Sequence, residues 1–199
     1  MFKHFIKILF PNTTFLILFP KLIFILKNKI KIAMNIFYLH YNVRICAKWH
    51  VDRHVVKMIL ETCQLLCTAI WLCGGQAHCK ATHQNHPSAI WTRANKKNWL
   101  WLQSLGVALC EEYTYRYKKI HALDSVIREL ELPNLPDGEF SEPTPAMPDE
   151  YKIPKDSIGS YRNYYILGKS HLHFWKTRHA WKDRDIPPFV KEACEYNIS

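Results

Sequence analysis

His50, His54, Lys57 and Glu61 recur at steps of four, three and four residues. Within a helix that spacing puts two imidazoles, an amine and a carboxylate on one face. Each type has a chemistry. Imidazoles move protons near neutral pH. An amine can form a Schiff base at a sugar C1′, and a carboxylate can stabilise the positive charge that develops there. Val55, Met58, Ile59, Thr62 and Leu66 run beside this row, so a core-facing stripe lies next to a polar one. Helices that line sites are built this way. The competing reading is a solvated stripe with simple Lys57–Glu61 pairing at i,i+4. On the first reading these four are the catalytic candidates. A buried Lys57 beside two imidazoles would be the more nucleophilic for its lowered pKa.

Further residues could hold a substrate. Asp52 and Arg53 sit among the histidines. The stretch Thr82-His83-Gln84-Asn85-His86-Pro87 is a His- and Asn-rich loop entering a helix. Thr82, His83, Asn85 and His86 there, with Arg93 beyond, suit an anion or a polar edge; equally, Thr82, Asn85 and His86 could cap the helix and order the loop. Glu112, Tyr113, Arg116 and Tyr117, then Tyr161, Arg162 and Tyr165, interleave guanidinium groups with flat rings. That mixture suits phosphates and bases, although tyrosines more commonly sit at the edge of a core. The basic end, Lys176, Arg178, Lys182 and Arg184 with Trp175 and Trp181, adds to the same case.

His50 and His54 could form half of a metal site, completed by His83, His86 or Asp52. The chain has no His-Glu-x-x-His and no Cys-x-x-Cys, so neither a metal nor a cofactor is expected. Cys63 and Cys67, one turn apart among Leu65, Leu66 and Ile70, read as small core residues. Glycine-rich nucleotide loops are missing, with only six glycines in 199 residues.

These side chains need elements to carry them. The length suits one domain, and 14% aromatic residues argue against disorder. Seven cysteines, an odd number without a paired framework, point to a reducing, intracellular compartment. The net charge of +10 owes six lysines to residues 1–33, which contain no acid; the remainder carries +4. That first segment has three readings: a translated upstream region with Met34 as the working start, a membrane anchor over residues 8–26 interrupted by Pro11, Pro20 and Lys21, or a targeting segment. The upstream reading is preferred. A helical domain over 34–190 and a tail over 191–199 follow.

Ile36–Leu39 is expected as a strand or a lead-in, and Asn42 as the cap of a helix running from about Val43 to Leu72 and stopped at Gly74-Gly75. Pro87 suits the first position of a second helix. The region 88–121 is helical by pattern, broken near Asn95–Asn98, with Trp99, Leu102, Leu105 and Leu109 as its apolar stripe. A short helix over about 122–130 precedes a proline-rich irregular connection from Pro133 to Pro154. A last helix is expected from about Asp156 to Ala180. The fold class is therefore mainly α: a single compact helical domain with a long Pro-rich connection.

Several blocks together resemble a poorly characterised family of tailed phages and large DNA viruses. They are Met34-Asn35-Ile36-Phe37-Tyr38-Leu39, Cys46-Ala47, His50 to Met58, Glu61, Thr82-His83 with Asn85-His86-Pro87, Trp91, Glu112 to Tyr117 and Ala146-Met147-Pro148. The resemblance covers about Met34 to Phe189. It implies a viral protein, placed in host cytoplasm or a viral factory. The family usually shows Gly after Tyr-Arg-Tyr, where this chain has Lys118, so a turn there is in question. A weaker resemblance links the chain to pyrimidine-dimer DNA glycosylases of the endonuclease V type. Those small helical proteins remove a damaged base with an N-terminal amine and an essential helix Glu. No residue of theirs maps here one to one. The expected function is thus a DNA-acting enzyme of base-excision type. The alternatives are another nucleotide- or nucleobase-processing enzyme, or a non-catalytic nucleic-acid-binding module. The expected partner is nucleic acid or nucleotide.

Overall fold

The computed structural model describes residues 34–175 and 178–196. Residues 1–33, with the expected leader or anchor, lie outside the described residues, as does Lys176. Among the described residues seven α-helices carry the fold: α1 (Val43–Trp49), α2 (Asp52–Leu72), α3 (Pro87–Thr92), α4 (Lys96–Tyr117), α5 (Asp124–Glu129), α6 (Ser157–Asn163) and α7 (Pro188–Tyr196). A two-residue hairpin, β1 (Phe174–Trp175) with β2 (Arg178–His179), pairs antiparallel between α6 and α7. The expected class, mainly α, is what the chain adopts.

The centre is the packing of α2 on α4, with α1 also against α4 and α5 closing beside it. Val55, Met58, Ile59, Thr62 and Leu66 of α2 are all buried, as are Trp99, Leu102, Leu105 and Leu109 of α4. Gly106 lets the helices approach: a Cβ built there would stand 2.9 Å from Thr62 Cγ2 and 3.0 Å from Ile127 Cγ2. Helix α2 is long and apolar enough to cross a membrane, yet two-thirds of its most apolar window is buried within the fold. It reads as a core helix.

Local signals place many of the ends. Asn42 Oδ1 accepts from the Arg44 and Ile45 N–H groups and caps α1. Pro87 opens α3, where His86 accepts from Ser88 N–H. Asn95 caps α4 and Asp156 caps α6. Lys118 ends α4 with φ +55, donating to Thr114 C=O. The turn that glycine makes easily is therefore kept with a lysine, at the conformational cost of a Cβ in the left-handed region.

Three expectations are corrected. The helix expected from Val43 to Leu72 is broken at His50-Val51, where both residues are extended. Arg116 takes the Lys48 and His50 carbonyls, and Tyr165 Oη accepts from Val51 N–H, so tertiary bonds replace the helical ones. Of the two readings of Ile36–Leu39, the lead-in holds: residues 34–39 run irregularly through the core toward α1, with Asn35 Oδ1 accepting from the Ile36 and Phe37 N–H groups. The last long helix stops at Asn163, passes through a π-helical turn (Tyr164–Gly168) and a 3-10 turn (Ser170–Leu172), and enters the hairpin. The tail expected over 191–199 is helical as far as Tyr196, as part of α7, in which Pro187 C=O accepts from Val190 N–H and Lys191 N–H. The Pro-rich connection is irregular as expected, apart from the 3-10 turn Asp149–Tyr151.

Candidate functional site

The broken helix redistributes the polar row. His50 is now the residue after α1, fully buried, and its Nδ1 lies 2.7 Å from Cys46 C=O. A carbonyl only accepts, so Nδ1 carries the proton. Nε2 is buried without a hydrogen-bond partner. Burial, rather than any one neighbour, pushes the imidazole down to about 4. His50 is thus a neutral core residue and not a group that touches substrate.

His54, Lys57 and Glu61 stay on α2. His54 is buried, with Nδ1 2.9 Å from Tyr165 Oη, the hydroxyl that also accepts from Val51 N–H at 2.7 Å. The arrangement that leaves no buried hydroxyl proton idle has Tyr165 donating to Nδ1, which puts the ring proton of His54 on Nε2. Burial first, then the charges of His50, Lys169 and Lys57, holds His54 well below its usual range, hence neutral. The Phe37 ring stacks on it at 4.3 Å. Phe37 has φ +50, an uncommon conformation for an aromatic residue, so the backbone bends to deliver that ring. Tyr164 stacks on Phe37 at 6.1 Å, Tyr151 packs on Tyr164 at 5.0 Å, and the Lys169 ammonium caps the Tyr164 ring at 4.8 Å.

Glu61 is buried to 4% of its side chain while Lys57 is 49% exposed, and Nζ lies 2.8 Å from Oε1. That oxygen lacks a well-aligned hydrogen bond, so the contact is an ion pair rather than a directed bond. Glu61 Oε2 accepts from the Asn35 backbone N–H at 2.9 Å, and Asn35 Nδ2 donates to Ala146 C=O. The burial on which an activated Lys57 was expected is missing: its amine is half in water. It is nevertheless the group of this row that can reach a substrate, standing on a buried carboxylate.

Other candidates turn inward. Arg116 is fully buried. It donates to Glu112 Oε1 at 2.7 Å, Asp52 Oδ1 at 3.0 Å, and the His50 and Lys48 carbonyls at 2.9 Å each. Arg184 clasps Glu112 with two bonds of 2.9 Å and stacks its guanidinium 3.6 Å from the Tyr115 ring. Burial raises the Glu112 carboxyl, but Arg184 and Arg116 outweigh it and hold the group below its usual range. Asp52 Oδ1 also accepts from Lys182 N–H. These groups tie α4 and the α1–α2 break to the C-terminal loop. Tyr161 and Tyr165 are buried, and Tyr161 Oη donates to Thr144 C=O. Arg162 donates to Leu39 C=O and lies over the Trp49 and Phe189 rings at 5.0 and 5.4 Å. Tyr117 Oη donates to Asp52 C=O, and Tyr113 packs on Tyr117 at 4.8 Å. None of these six rings and charges forms an open binding face. Of the basic end, Trp181 is buried and donates to Trp49 C=O.

The loop candidates stand apart from the Glu61 pair, anchored two turns along α2: Thr68 Oγ1 accepts from Thr82 N–H at 3.1 Å. Thr82 Oγ1 and His83 Nδ1 are 2.7 Å apart, His83 has φ +49, and Arg93 donates to Gln84 C=O. His83 and Asn85 are exposed, His86 is the helix cap, and Arg53 is exposed on the first turn of α2. Thr82, His86 and Arg93 are therefore spent largely on ordering the loop.

Three groups escaped the sequence reading. Phe37 and the Asn35 N–H come from a segment read only as apolar, and nothing in a hydrophobic run marks a left-handed residue. Cys79, half-buried in the loop, gathers with Cys63 and Cys67; its distance in sequence hid it. No protein-family model, curated protein or solved structure matches the chain.

Proposed function

We propose that this protein is a DNA-acting enzyme of base-excision type, with Lys57 and Glu61 as its reacting pair. The observation that carries the reading is a half-exposed amine 2.8 Å from a carboxylate that is itself buried. In the proposed reaction Glu61 Oε1 accepts a proton from Lys57, and the freed amine attacks C1′ of the damaged nucleotide. The glycosidic bond breaks with its electron pair leaving on the base, which takes the proton shed by the new C1′–N ammonium; Glu61 then returns its proton to O4′ as the C1′–O4′ bond breaks, leaving the ring-opened sugar as a Schiff base on Lys57 and Glu61 again a carboxylate. The Asn35 N–H holds the carboxylate in place. His54 serves as a positioned donor, not as a base, because its Nδ1 already accepts. The half-buried Tyr164 and Tyr151 rings with Lys169, backed by the buried Phe37, supply flat surface and positive charge of the kind single bases and phosphates favour. The resemblance to pyrimidine-dimer glycosylases supports the same class, and the viral resemblance suits such a repair role.

One observation favours a second nucleophile for the same reaction. The carboxylate also binds the backbone nitrogen of Asn35, and a chain begun at Met34 would carry its α-amine one residue away. Borohydride trapping on duplex DNA with abasic or ultraviolet-damaged sites tests both. Adduct mapped to Lys57, and lost in Lys57→Met, supports the lysine; adduct mapped to the first residue supports the amine. Absence of adduct from folded protein ends the lyase reading. Tight binding of mononucleotides with little affinity for duplex would then favour the nucleotide-processing alternative.

A further inference from the structure

Cys63 and Cys67 face the same side of α2, one turn apart, and the loop after the helix brings Cys79 onto them. The Sγ atoms are 3.9 Å apart for Cys63–Cys67 and 3.6 Å for Cys63–Cys79, and all three lie within 4.8 Å of one another. A tetrahedral zinc with Zn–S bonds of about 2.3 Å needs sulfurs about 3.8 Å apart. The three thiols therefore already stand close to the edge length of such a site. Among the described residues they are the one set of three metal-ligating side chains that converges.

The surroundings fit a ligand set better than a patch of core. Cys79 is half-buried, which leaves a path for an ion, and Trp71 Nε1 donates to its carbonyl at 2.8 Å, fixing the approach of the loop. Residues 75–86 lack helix or strand apart from turns, so they gain most from a clip.

We propose that Cys63, Cys67 and Cys79 bind one Zn2+ as thiolates, with His78, next to Cys79 in the chain, as the fourth ligand. The ion pins the loop that leads into α3 onto α2. Binding displaces the thiol protons to solvent, so affinity falls as pH is lowered. The site is independent of the Lys57–Glu61 reaction.

The test is titration of the reduced full chain with Co2+ and then Zn2+. One equivalent of Co2+ should give thiolate-to-cobalt charge-transfer absorption, bleached by one equivalent of Zn2+. Cys79→Ser, in a loop and outside the packed helix face, should weaken binding at least 100-fold while far-ultraviolet circular dichroism is unchanged. Cys73→Ser and Cys194→Ser, both at exposed positions, should leave it intact. His78→Ala should shift the cobalt d–d bands; unshifted bands would overturn the histidine assignment. Lack of thiolate absorption in the full chain, equal binding by Cys79→Ser, or a Cys63–Cys79 disulfide formed in place of metal binding, would overturn the site.

Discussion

Glu112–Arg116 and Lys57–Glu61 are both acid–base pairs at i,i+4, and a sequence reader would treat them alike. Their fates differ. Arg116 is sealed in the core, and its guanidinium satisfies two carboxylates and two carbonyls; Glu112 takes a second guanidinium from Arg184. Lys57 stands half in water on a carboxylate whose second oxygen holds a backbone N–H. A buried charge is tolerated when its partners are complete and costly when one is removed. The saturated pair is therefore architecture: it ties α4, the α1–α2 break and the C-terminal loop. The unsaturated pair has a charge that another molecule can engage. Spacing makes both pairs possible, and the number of partners decides which can do chemistry.

The largest expected effect breaks the saturated side. Arg116→Met leaves Glu112 with Arg184 alone, Asp52 with only the Lys182 N–H, and the Lys48 and His50 carbonyls open, and should cost about 3–5 kcal/mol in urea unfolding. Arg116→Lys should recover little of this, because an ammonium cannot reproduce the planar fork. If Arg116→Met unfolds at the wild-type midpoint, the network is not what fixes the break.

The next effect is on pH. His50 titrates near 4 when folded and near 6.5 when unfolded, and His54 and His173 are lowered by burial as well. Below 6.5 the unfolded chain gains protons that the native chain refuses, so stability is complete above about 6.5 and falls as pH drops toward 4. The slope is up to about 1.4 kcal/mol per pH unit for each such histidine. Urea midpoints collected from pH 7.5 to 4.5 read this directly. A flat profile would mean that these imidazoles are not buried neutral.

Packing is next. Gly106→Ala forces a methyl to within 3.0 Å of Thr62 and Ile127 and should cost about 1–3 kcal/mol, read by thermal unfolding. An unchanged midpoint would show that α2 and α4 can separate without loss.

What was legible in the chain was mostly local. Asn42, Pro87 and the α2 and α4 stripes act on their own neighbours, so spacing and residue type disclose them. The break at His50-Val51 contains no proline or glycine; it exists because Arg116 and Tyr165, more than sixty and a hundred residues away, take backbone groups that a helix would have used. The same distance hides the burial of Tyr161 and Tyr165 and the contacts of Arg162. Their alternation of charge and ring is what a nucleic-acid surface shows, and also what a buried polar seam shows; only burial separates the two. Glu61 was readable as a candidate, whereas its partner from Asn35 was not.

The smallest effect on stability sharpens the contrast most. Lys57→Met removes a charge that is half in water but leaves the buried Glu61 with only the Asn35 N–H, so the change should cost about 1–2 kcal/mol in unfolding, between an exposed and a buried pair. Trapped adduct on abasic duplex should nevertheless fall at least 100-fold, and Glu61→Gln should do the same while folding normally. That combination, small in stability and large in chemistry, is the reverse of what Arg116→Met should give. Should Lys57→Met cost as much stability as Arg116→Met, the two pairs would be one kind of structure after all. Lys57 would then be a strut, and the site would have to be sought at the exposed His83–Asn85 loop.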